Sequence, residues 1–136
     1  MSHIEVERHG SVMHIAFNRP EKKNALTADM YVALADAVDQ AESDRAVRVL
    51  LLHGKGGAFT AGNDLEDFMN KPWKGHAVPP AVRFIRAVAT AKKPVVAAVH
   101  GLAVGVGTTI LLHCDLVYAA DDAKFMMPFI NLGIVP

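Results

Sequence analysis

The sequence has few of the features that mark specialised classes of protein. One cysteine, Cys114, among 136 residues excludes an intramolecular disulfide and fits a reducing compartment. Fourteen basic residues balance 14 acidic ones, so no basic face indicates a nucleic-acid partner. The N-terminus lacks the pattern of a signal peptide, and no apolar run is long enough to span a bilayer. These absences predict a single-domain cytoplasmic protein with no membrane partner.

Histidine is present seven times, but the pattern is not that of a metal site. No two histidines stand at ligand spacing with a third ligand type close by, so no metal is predicted. His100 ends an apolar segment just before a glycine-bearing loop. We interpret it as a strand-end histidine bonded to the backbone rather than as an acid or base.

Alternation and helical spacing together predict an α/β order, ββα-β-α-β-α-β, and hence a mixed sheet with helical crossovers. Thr27 is placed to cap the first helix, which should run to about Ala41 and bury one stripe formed by Met30, Leu34, Ala37, Val38 and Ala41. The segment 71–80, rich in Pro and Gly, is predicted to be irregular. The predicted strands are Ile4–Val6, Val12–Phe17, Val47–His53, Pro94–His100 and Asp115–Ala120, and the later helices are Pro79–Ala91, with Val82, Ile85 and Val88 buried, and Thr108–His113.

Two segments share one design, a buried strand followed by a glycine-bearing turn and a helix. The first runs over Val49–Gly62 and the second over Val95–Gly107. Glycine lets a backbone turn its N–H groups towards a ligand. Two such turns side by side could aim two amides at one developing oxyanion, as acyl-group chemistry requires. For either loop alone, an ordinary sheet-to-helix turn is the preferred interpretation.

A dinucleotide-binding fingerprint is the competing interpretation of the second loop. Gly105-Val106-Gly107 follows an apolar strand, as in G-x-G-x-x-G. However, Ile110 occupies the third glycine position, where a close helix–strand contact requires a small residue. A dinucleotide-dependent oxidoreductase is therefore kept only as a distant alternative.

Four blocks of the sequence resemble the crotonase superfamily. They fall in the family's order along the chain and so identify it as a similar protein. The resemblance implies a crotonase-type spiral of ββα units, with residues 1–136 as the N-terminal core and the C-terminal helical trimerisation region absent. The blocks are Asn18-Arg19-Pro20 with Asn24-Ala25-Leu26, then 59–65, then 94–107, then 114–120 with Phe125.

The resemblance also implies a site for a coenzyme A thioester. The backbone N–H groups of Asn63 and Val106 would form an oxyanion hole, and coenzyme A would come with the substrate, so that no separate cofactor is expected. Lys22 and Lys23 are candidates for the phosphates, with a solvated loop as the alternative. The implied substrate-binding residues are Lys23, Ala25, Leu26, Ala61, Gly62, Asp64, Leu65, Phe68, Gly105, Pro128, Phe129 and Leu132. For Phe68 and Phe129, core packing is the preferred interpretation.

The residues at two catalytic positions distinguish the branches of the superfamily. Hydratase members use two glutamates, and the corresponding positions here are Thr109 and Phe129, neither of which can exchange a proton as a carboxylate does. The motif Leu132-Gly133-Ile134-Val135-Pro136 resembles the LGxxP of the enoyl-CoA delta isomerases, in which a single glutamate comes next. The expected base therefore lies just after Pro136 and is absent.

The resemblance thus favours an enoyl-CoA isomerase of fatty acid metabolism, assembled as a homotrimer or hexamer. A crotonase scaffold that binds acyl-CoA without catalysis is the alternative, as is another thioester reaction such as hydration. The chain ends on an apolar, turn-like stretch, which favours a fragment over a natural terminus.

Overall fold

The computed structural model describes residues 3–70 and 78–135, and these form a mixed α/β fold. An antiparallel hairpin, β1 (Ile4–His9) and β2 (Val12–Phe17), opens the chain, and Gly10 at its turn has φ +61°. The elements that follow are α1 (Ala28–Ser43), β3 (Val49–Gly54), α2 (Leu65–Asn70), α3 (Pro80–Ala89), β4 (Val95–Val99), β5 (Leu102–Val104), α4 (Val106–Thr109), β6 (Leu116–Ala119) and β7 (Lys124–Met126), with 3-10 turns at Pro20–Lys22, Ile110–His113 and Pro128–Leu132.

The five-stranded main sheet has the order β1-β2-β3-β4-β6. Only its first pair is antiparallel, because β2 pairs in parallel with β3, β3 with β4 and β4 with β6. Parallel neighbours require crossovers, and α1 and α3 supply two of them. A second, two-stranded sheet pairs β5 with β7 in parallel. The predicted mixed sheet with helical crossovers is therefore confirmed.

The core lies between one face of the main sheet and helices α1 and α3. Alternate strand residues such as Ile15, Leu50 and Ala97 join Leu34 of α1 and Phe84 of α3 in one buried cluster. The apolar run Val47–His53 predicts a strand covered on both faces. Burial along β3 instead alternates between half-buried and buried residues, so only one face is fully covered in the described structure.

The stripe predicted for the third helix also needs correction. Val88 is buried as expected, but Val82 and Ile85 are only half-buried. Pro80 and Phe84 are the buried partners of Val88 on α3, because the helix faces α1 along the line of residues 80, 84 and 88.

Two short strands, β5 and β7, were not predicted from the sequence. Both are only three residues long, and β5 occupies what was interpreted as a glycine loop. The helix expected over Thr108–His113 begins earlier, at Val106, and its second half is a 3-10 turn. In the described ranges no helix has the length and apolar character needed to cross a membrane. The prediction for 71–80 falls largely outside those ranges.

The first helix has the predicted cap, and this gives a direct test of the local structure. The Thr27 side-chain oxygen accepts a hydrogen bond from the Met30 N–H at 3.2 Å. Thr27→Ala should lower the free energy of unfolding by about 1 kcal/mol, because one helix-end N–H loses its partner. Urea denaturation measures the change, and Thr27→Ser should retain most of the stability. Equal losses in both variants would contradict a capping role.

Candidate active site

Asn24 organises the loop that precedes the first helix. The residue is fully buried at 0% exposure, and its φ is +58°. Its Oδ1 accepts the Arg19 N–H at 2.7 Å. Its Nδ2 donates to the carbonyls of Lys55, Ala58 and Phe59 at 2.9, 2.8 and 3.1 Å. One amide side chain therefore connects residues 19–24 to the first glycine-bearing loop.

Leu26 sets the direction of the backbone at Asn63. The Leu26 N–H donates to the Gly62 carbonyl at 2.7 Å, and the Leu26 carbonyl accepts the Asp64 N–H at 2.8 Å. Leu26 and Asn63 thus form a parallel bridge in which Leu26 uses both of its backbone groups. The opposite residue of such a bridge turns its own N–H away. The Asn63 N–H consequently faces away from Leu26.

The second loop lies on the side towards which that N–H points. Thr60 bridges Ala103 in parallel, with the Thr60 N–H donating to Leu102 and the Thr60 carbonyl accepting from Val104, at 3.1 and 3.0 Å. A methyl group on Gly62 would lie 2.7 Å from the Val104 carbonyl oxygen. The two loops are therefore in van der Waals contact, and glycine at position 62 is what permits their approach.

The second loop ends in a free helix-start amide. Gly105, with φ +60°, precedes α4, and its N–H donates to the Met126 carbonyl at 2.8 Å. Val106 is the first residue of α4, and the first N–H groups of a helix have no partner within it. Among the described residues, no backbone carbonyl accepts from the N–H of Asn63 or Val106. Two backbone donors from two adjoining loops remain available to a ligand.

An ion pair holds the start of α2 beside these donors. Arg19 Nη1 lies 2.6 Å from Asp64 Oδ2, with both side chains largely buried, and it also donates to the Ala25 carbonyl at 3.1 Å. The Asp67 N–H donates to Asp64 Oδ1 at 2.9 Å. That N–H first, and then the Arg19 guanidinium, hold the pKa of the Asp64 carboxyl below its usual value. Asp64 therefore stays ionised and caps α2.

The structure gives most of the residues implied for coenzyme A binding a place at this junction. Lys23 is exposed, and its carbonyl accepts the Ala61 N–H at 2.9 Å. Ala25 is half-buried, and its carbonyl accepts a hydrogen bond from the Arg19 guanidinium. The backbone groups of Leu26 bond to the first loop, so this residue positions the loop. The two exposed lysines Lys22 and Lys23 lie on the solvent side of it.

The other residues implied for the substrate, among them Phe68 and Phe129 for the acyl group, lie on α2 and on the last 3-10 turn. Leu65 and Phe68 of α2 are 57% and 68% exposed, so the preferred interpretation of Phe68 as a core residue is wrong. Phe129 is half-buried, with its Cζ 3.8 Å from the Cβ position of Gly105. Pro128 is half-buried and Leu132 is exposed in the same 3-10 turn. Apolar surface is thus available on α2 and on the last 3-10 turn.

The two positions that carry glutamates in hydratases hold no carboxylate. Thr109 is the half-buried last residue of α4, and its N–H donates to the Gly105 carbonyl at 3.0 Å. Its neighbour Thr108 donates its hydroxyl to the Ala103 carbonyl at 2.6 Å and so braces the loop. Pro136, after which the base is expected, lies outside the described residues.

Some residues that shape the site received no role from the sequence. Asn24 and Arg19 stand in the blocks that carry the family resemblance, but nothing in their spacing shows that one is a buried hydrogen-bonding centre and the other an ion-pair partner. Tyr31 also received no role, because nothing in its position on α1 distinguishes it from a residue that only packs in the core. The described part of the chain contains no group of three metal-ligating side chains.

His14 of β2 and His53 of β3 lie on the face of the sheet opposite the core. His14 and His53 line a surface cavity of about 570 Å³ together with His100, whose Nε2–H donates to the Gly56 carbonyl at 2.5 Å, as interpreted from the sequence. The rings of His14 and His53 are 5.7 Å apart. Burial first, and then the charges of His14, Lys55 and His100, lower the pKa of His53, opposed weakly by Glu7.

This lowered pKa predicts a pH-dependent stability. Unfolded His53 takes up a proton more readily than folded His53, so its contribution is fully present above the ordinary pKa of about 6.5 and is lost as pH falls below it. The free energy of unfolding should therefore decrease between pH 7.5 and 5.5. His53→Gln should flatten this decrease, whereas His113→Gln, at an exposed position, should not. Urea titrations at each pH make the measurement, and equal slopes for His53→Gln and the unmodified chain would contradict it.

Taken together, the mostly parallel sheet and the two adjoining loops define an α/β protein in which two backbone N–H groups have no acceptor among the described residues. Comparison with known proteins agrees with this class. The family model described as enoyl-CoA hydratase/isomerase matches residues 7–136. The chain belongs to the enoyl-CoA hydratase/isomerase family, and its crotonase fold is that of the family's solved structures.

Individual relatives show how far this similarity extends. The chain is 41% identical to the 1,2-epoxyphenylacetyl-CoA isomerase of Escherichia coli K12, with 100% of the chain and 53% of the relative covered. It is 38% identical to enoyl-CoA delta isomerase 2 of Rattus norvegicus, covering 98% and 35%. An enoyl-CoA hydratase/isomerase structure from Pseudoalteromonas atlantica T6c superposes with a TM-score of 0.94 at 44% identity, covering 99% and 53%. The chain thus spans about half the length of several relatives.

Proposed function

We propose that this chain binds the thioester of an acyl-CoA and polarises its carbonyl with the N–H groups of Asn63 and Val106. The observation that supports the proposal is the contact between the two loops at Gly62 and Val104, because each loop leads into one of the two unpartnered donors. Donors fixed in advance around an oxyanion stabilise it strongly, and each is worth roughly 10²–10³ in rate.

The favoured reaction is a shift of a double bond from β,γ to α,β in an enoyl-CoA. A base removes a proton from the carbon next to the thioester, and the two amides stabilise the resulting enolate. The conjugate acid then returns the proton at the γ-carbon, so one carboxyl group suffices. Thr109 and Phe129, in the places of the two hydratase glutamates, support this single-base chemistry over the addition of water.

The turn that ends the described chain supports the position of that base. Phe129 contacts Gly105 of the second loop, and the Ile134 N–H donates to the Phe129 carbonyl at 3.0 Å. Gly133, with φ +71°, makes this return possible. Ile134 is therefore held against the residue that contacts the second loop. We assign the base to a glutamate that would follow Pro136 in sequence.

A scaffold that binds acyl-CoA without catalysis is the second candidate. It is favoured by the same two replacements, because no carboxylate stands at either hydratase position of this chain. The relatives bear the names of both hydratases and isomerases, and hydration remains a further alternative. Assembly into a homotrimer or hexamer is a prediction that accompanies each of these functions.

Binding can be tested on the 136-residue chain itself. Crotonyl-CoA labelled with ¹³C at its carbonyl should raise the melting temperature, and its carbonyl stretch should move to lower frequency when bound. NAD serves as the control ligand and should leave the melting temperature unchanged. Stabilisation by NAD but not by crotonyl-CoA would refute the proposal in favour of the dinucleotide alternative.

The reaction requires a protein that supplies the base. We would join residues 1–136 to the part of the Rattus norvegicus delta isomerase that follows its match to Pro136. With glutamate as the first residue after Pro136, a 3-enoyl-CoA should yield the conjugated 2-enoyl thioester, which absorbs in the near ultraviolet. Glutamine at that position should abolish product formation without weakening binding. Equal rates with both residues would exclude this base, and binding without any product would favour the scaffold.

A further inference from the structure

A buried phenol contacts the first oxyanion donor. Tyr31 of α1 is 4% exposed and donates its hydroxyl to the side-chain Oδ1 of Asn63. Asn63 itself is exposed at the junction of the two loops. The hydrogen bond thus runs from the core of the fold to the residue whose backbone N–H faces the proposed substrate.

The Tyr31 ring is firmly held at its other end. Its centroid lies 6.0 Å from that of Phe84 on α3, and both rings belong to the buried cluster. Burial raises the pKa of the phenol, so the hydroxyl keeps its proton and remains a donor at any physiological pH. A donor on a packed aromatic ring fixes its acceptor more tightly than one on a flexible chain would.

Backbone hydrogen bonds hold the residues on either side of Asn63, but the backbone N–H of Asn63 has no acceptor in the described structure. The Gly62 carbonyl and the Asp64 N–H both bond to Leu26, while the Asn63 N–H has no acceptor among the described residues. Gly62, with φ +87°, adds torsional freedom directly before Asn63. The side-chain bond to Tyr31 is the restraint that acts on Asn63 itself and opposes rotation of its peptide plane.

We propose that Tyr31 is a positioning residue for the oxyanion hole, holding Asn63 so that its backbone N–H points at the thioester oxygen. This inference rests on the proposed function, because it assigns Tyr31 to the same donor. Tyr31 touches no substrate in this arrangement and acts through Asn63. Its loss should therefore weaken polarisation of the carbonyl more than it weakens binding of the coenzyme A portion.

The test is the carbonyl stretch of bound ¹³C-labelled crotonyl-CoA, measured by infrared difference spectroscopy on the 136-residue chain. Tyr31→Phe should lose about half of the frequency shift, because one of two fixed donors becomes loose. The dissociation constant should change less than about twofold, since the coenzyme A contacts remain. Tyr118→Phe removes a hydroxyl from a 63% exposed tyrosine and should leave the shift intact.

A second variant breaks the same hydrogen bond from its exposed end. Asn63→Ala should reproduce the loss, and Tyr31→Phe combined with Asn63→Ala should lose no more than either alone, because both remove one interaction. A full shift in Tyr31→Phe, or additive losses in the double variant, would overturn the positioning role while leaving the proposed function standing. Absence of any shift in the unmodified chain would overturn both.

Discussion

Replacing Gly62 by alanine is expected to separate the two loops and abolish polarisation of the thioester. The added methyl group would lie 2.7 Å from the Val104 carbonyl oxygen, and the backbone at φ +87° disfavours any side chain. The torsional strain costs about 1–2 kcal/mol. Relief of the overlap adds about 1–3 kcal/mol, so the free energy of unfolding should fall by about 2–5 kcal/mol. The carbonyl stretch of bound crotonyl-CoA should return close to its value in free solution.

Variants at two other glycines distinguish torsional strain from steric overlap as the cause of this loss of stability. Gly10 has φ +61° but open space around it, so Gly10→Ala reports torsional strain alone. Gly57 has open space and no positive φ, so Gly57→Ala should be nearly neutral. Urea denaturation of the three variants should rank them Gly62→Ala, Gly10→Ala, Gly57→Ala from most to least destabilised. A loss in Gly62→Ala no larger than in Gly10→Ala would show that the loops do not depend on close approach.

Asn24→Asp is expected to be strongly destabilising, although it exchanges only the side-chain NH2 group for an oxygen. The substitution keeps the shape of the side chain but replaces the Nδ2 donor by an oxygen that faces the carbonyls of Lys55, Ala58 and Phe59. Two buried acceptors and one part-buried acceptor lose their donor at about 1–3 kcal/mol each, so the loss should be about 3–9 kcal/mol. A typical domain has only about 5–15 kcal/mol in total.

The pH dependence of this variant identifies the mechanism. When the new carboxyl group is protonated, it can again donate to one of the three carbonyls, so the deficit relative to the unmodified chain should shrink as pH falls from 7 to 4. Asn131→Asp, at an exposed position, should show almost no deficit at either pH. Chemical denaturation at both pH values provides the comparison, and a deficit that does not change with pH would argue against hydrogen bonding as its cause.

Periodicity and capping were enough to predict the elements that form the core. Thr27 marked the start of α1, and the stripe through Leu34 and Val38 marked its buried face, because a long amphipathic helix repeats its signal over several turns. Strands β5 and β7 were missed because three residues are too few for a period to show. Their pairing depends on partners far away in sequence.

Only part of the site could be predicted, because some of its contacts join segments that are far apart in sequence. The glycines indicated where a backbone could approach a ligand, and the family resemblance directed attention to Asn63 and Val106. The contact of Gly62 with Val104 depends on how two loops from separate crossovers meet, which no local pattern encodes. The same holds for the hydrogen bond of Tyr31 to Asn63, which joins a helix to a loop 32 positions later. Whether a side chain such as Phe68 is exposed likewise depends on tertiary neighbours rather than on its own apolarity.

Both donors of the proposed oxyanion hole are main-chain groups, and this has a consequence for how such a protein can diverge. Nearly any amino acid except proline supplies a backbone N–H, so the side chains at positions 63 and 106 can drift without removing the donors. Selection would instead act on the glycine that lets the loops meet and on the buried amide that ties the first loop down. Residues that deliver protons are free to be gained, lost or moved over this constant anion site. A lineage built on it can exchange one reaction of thioesters for another through a few substitutions around an unchanged backbone.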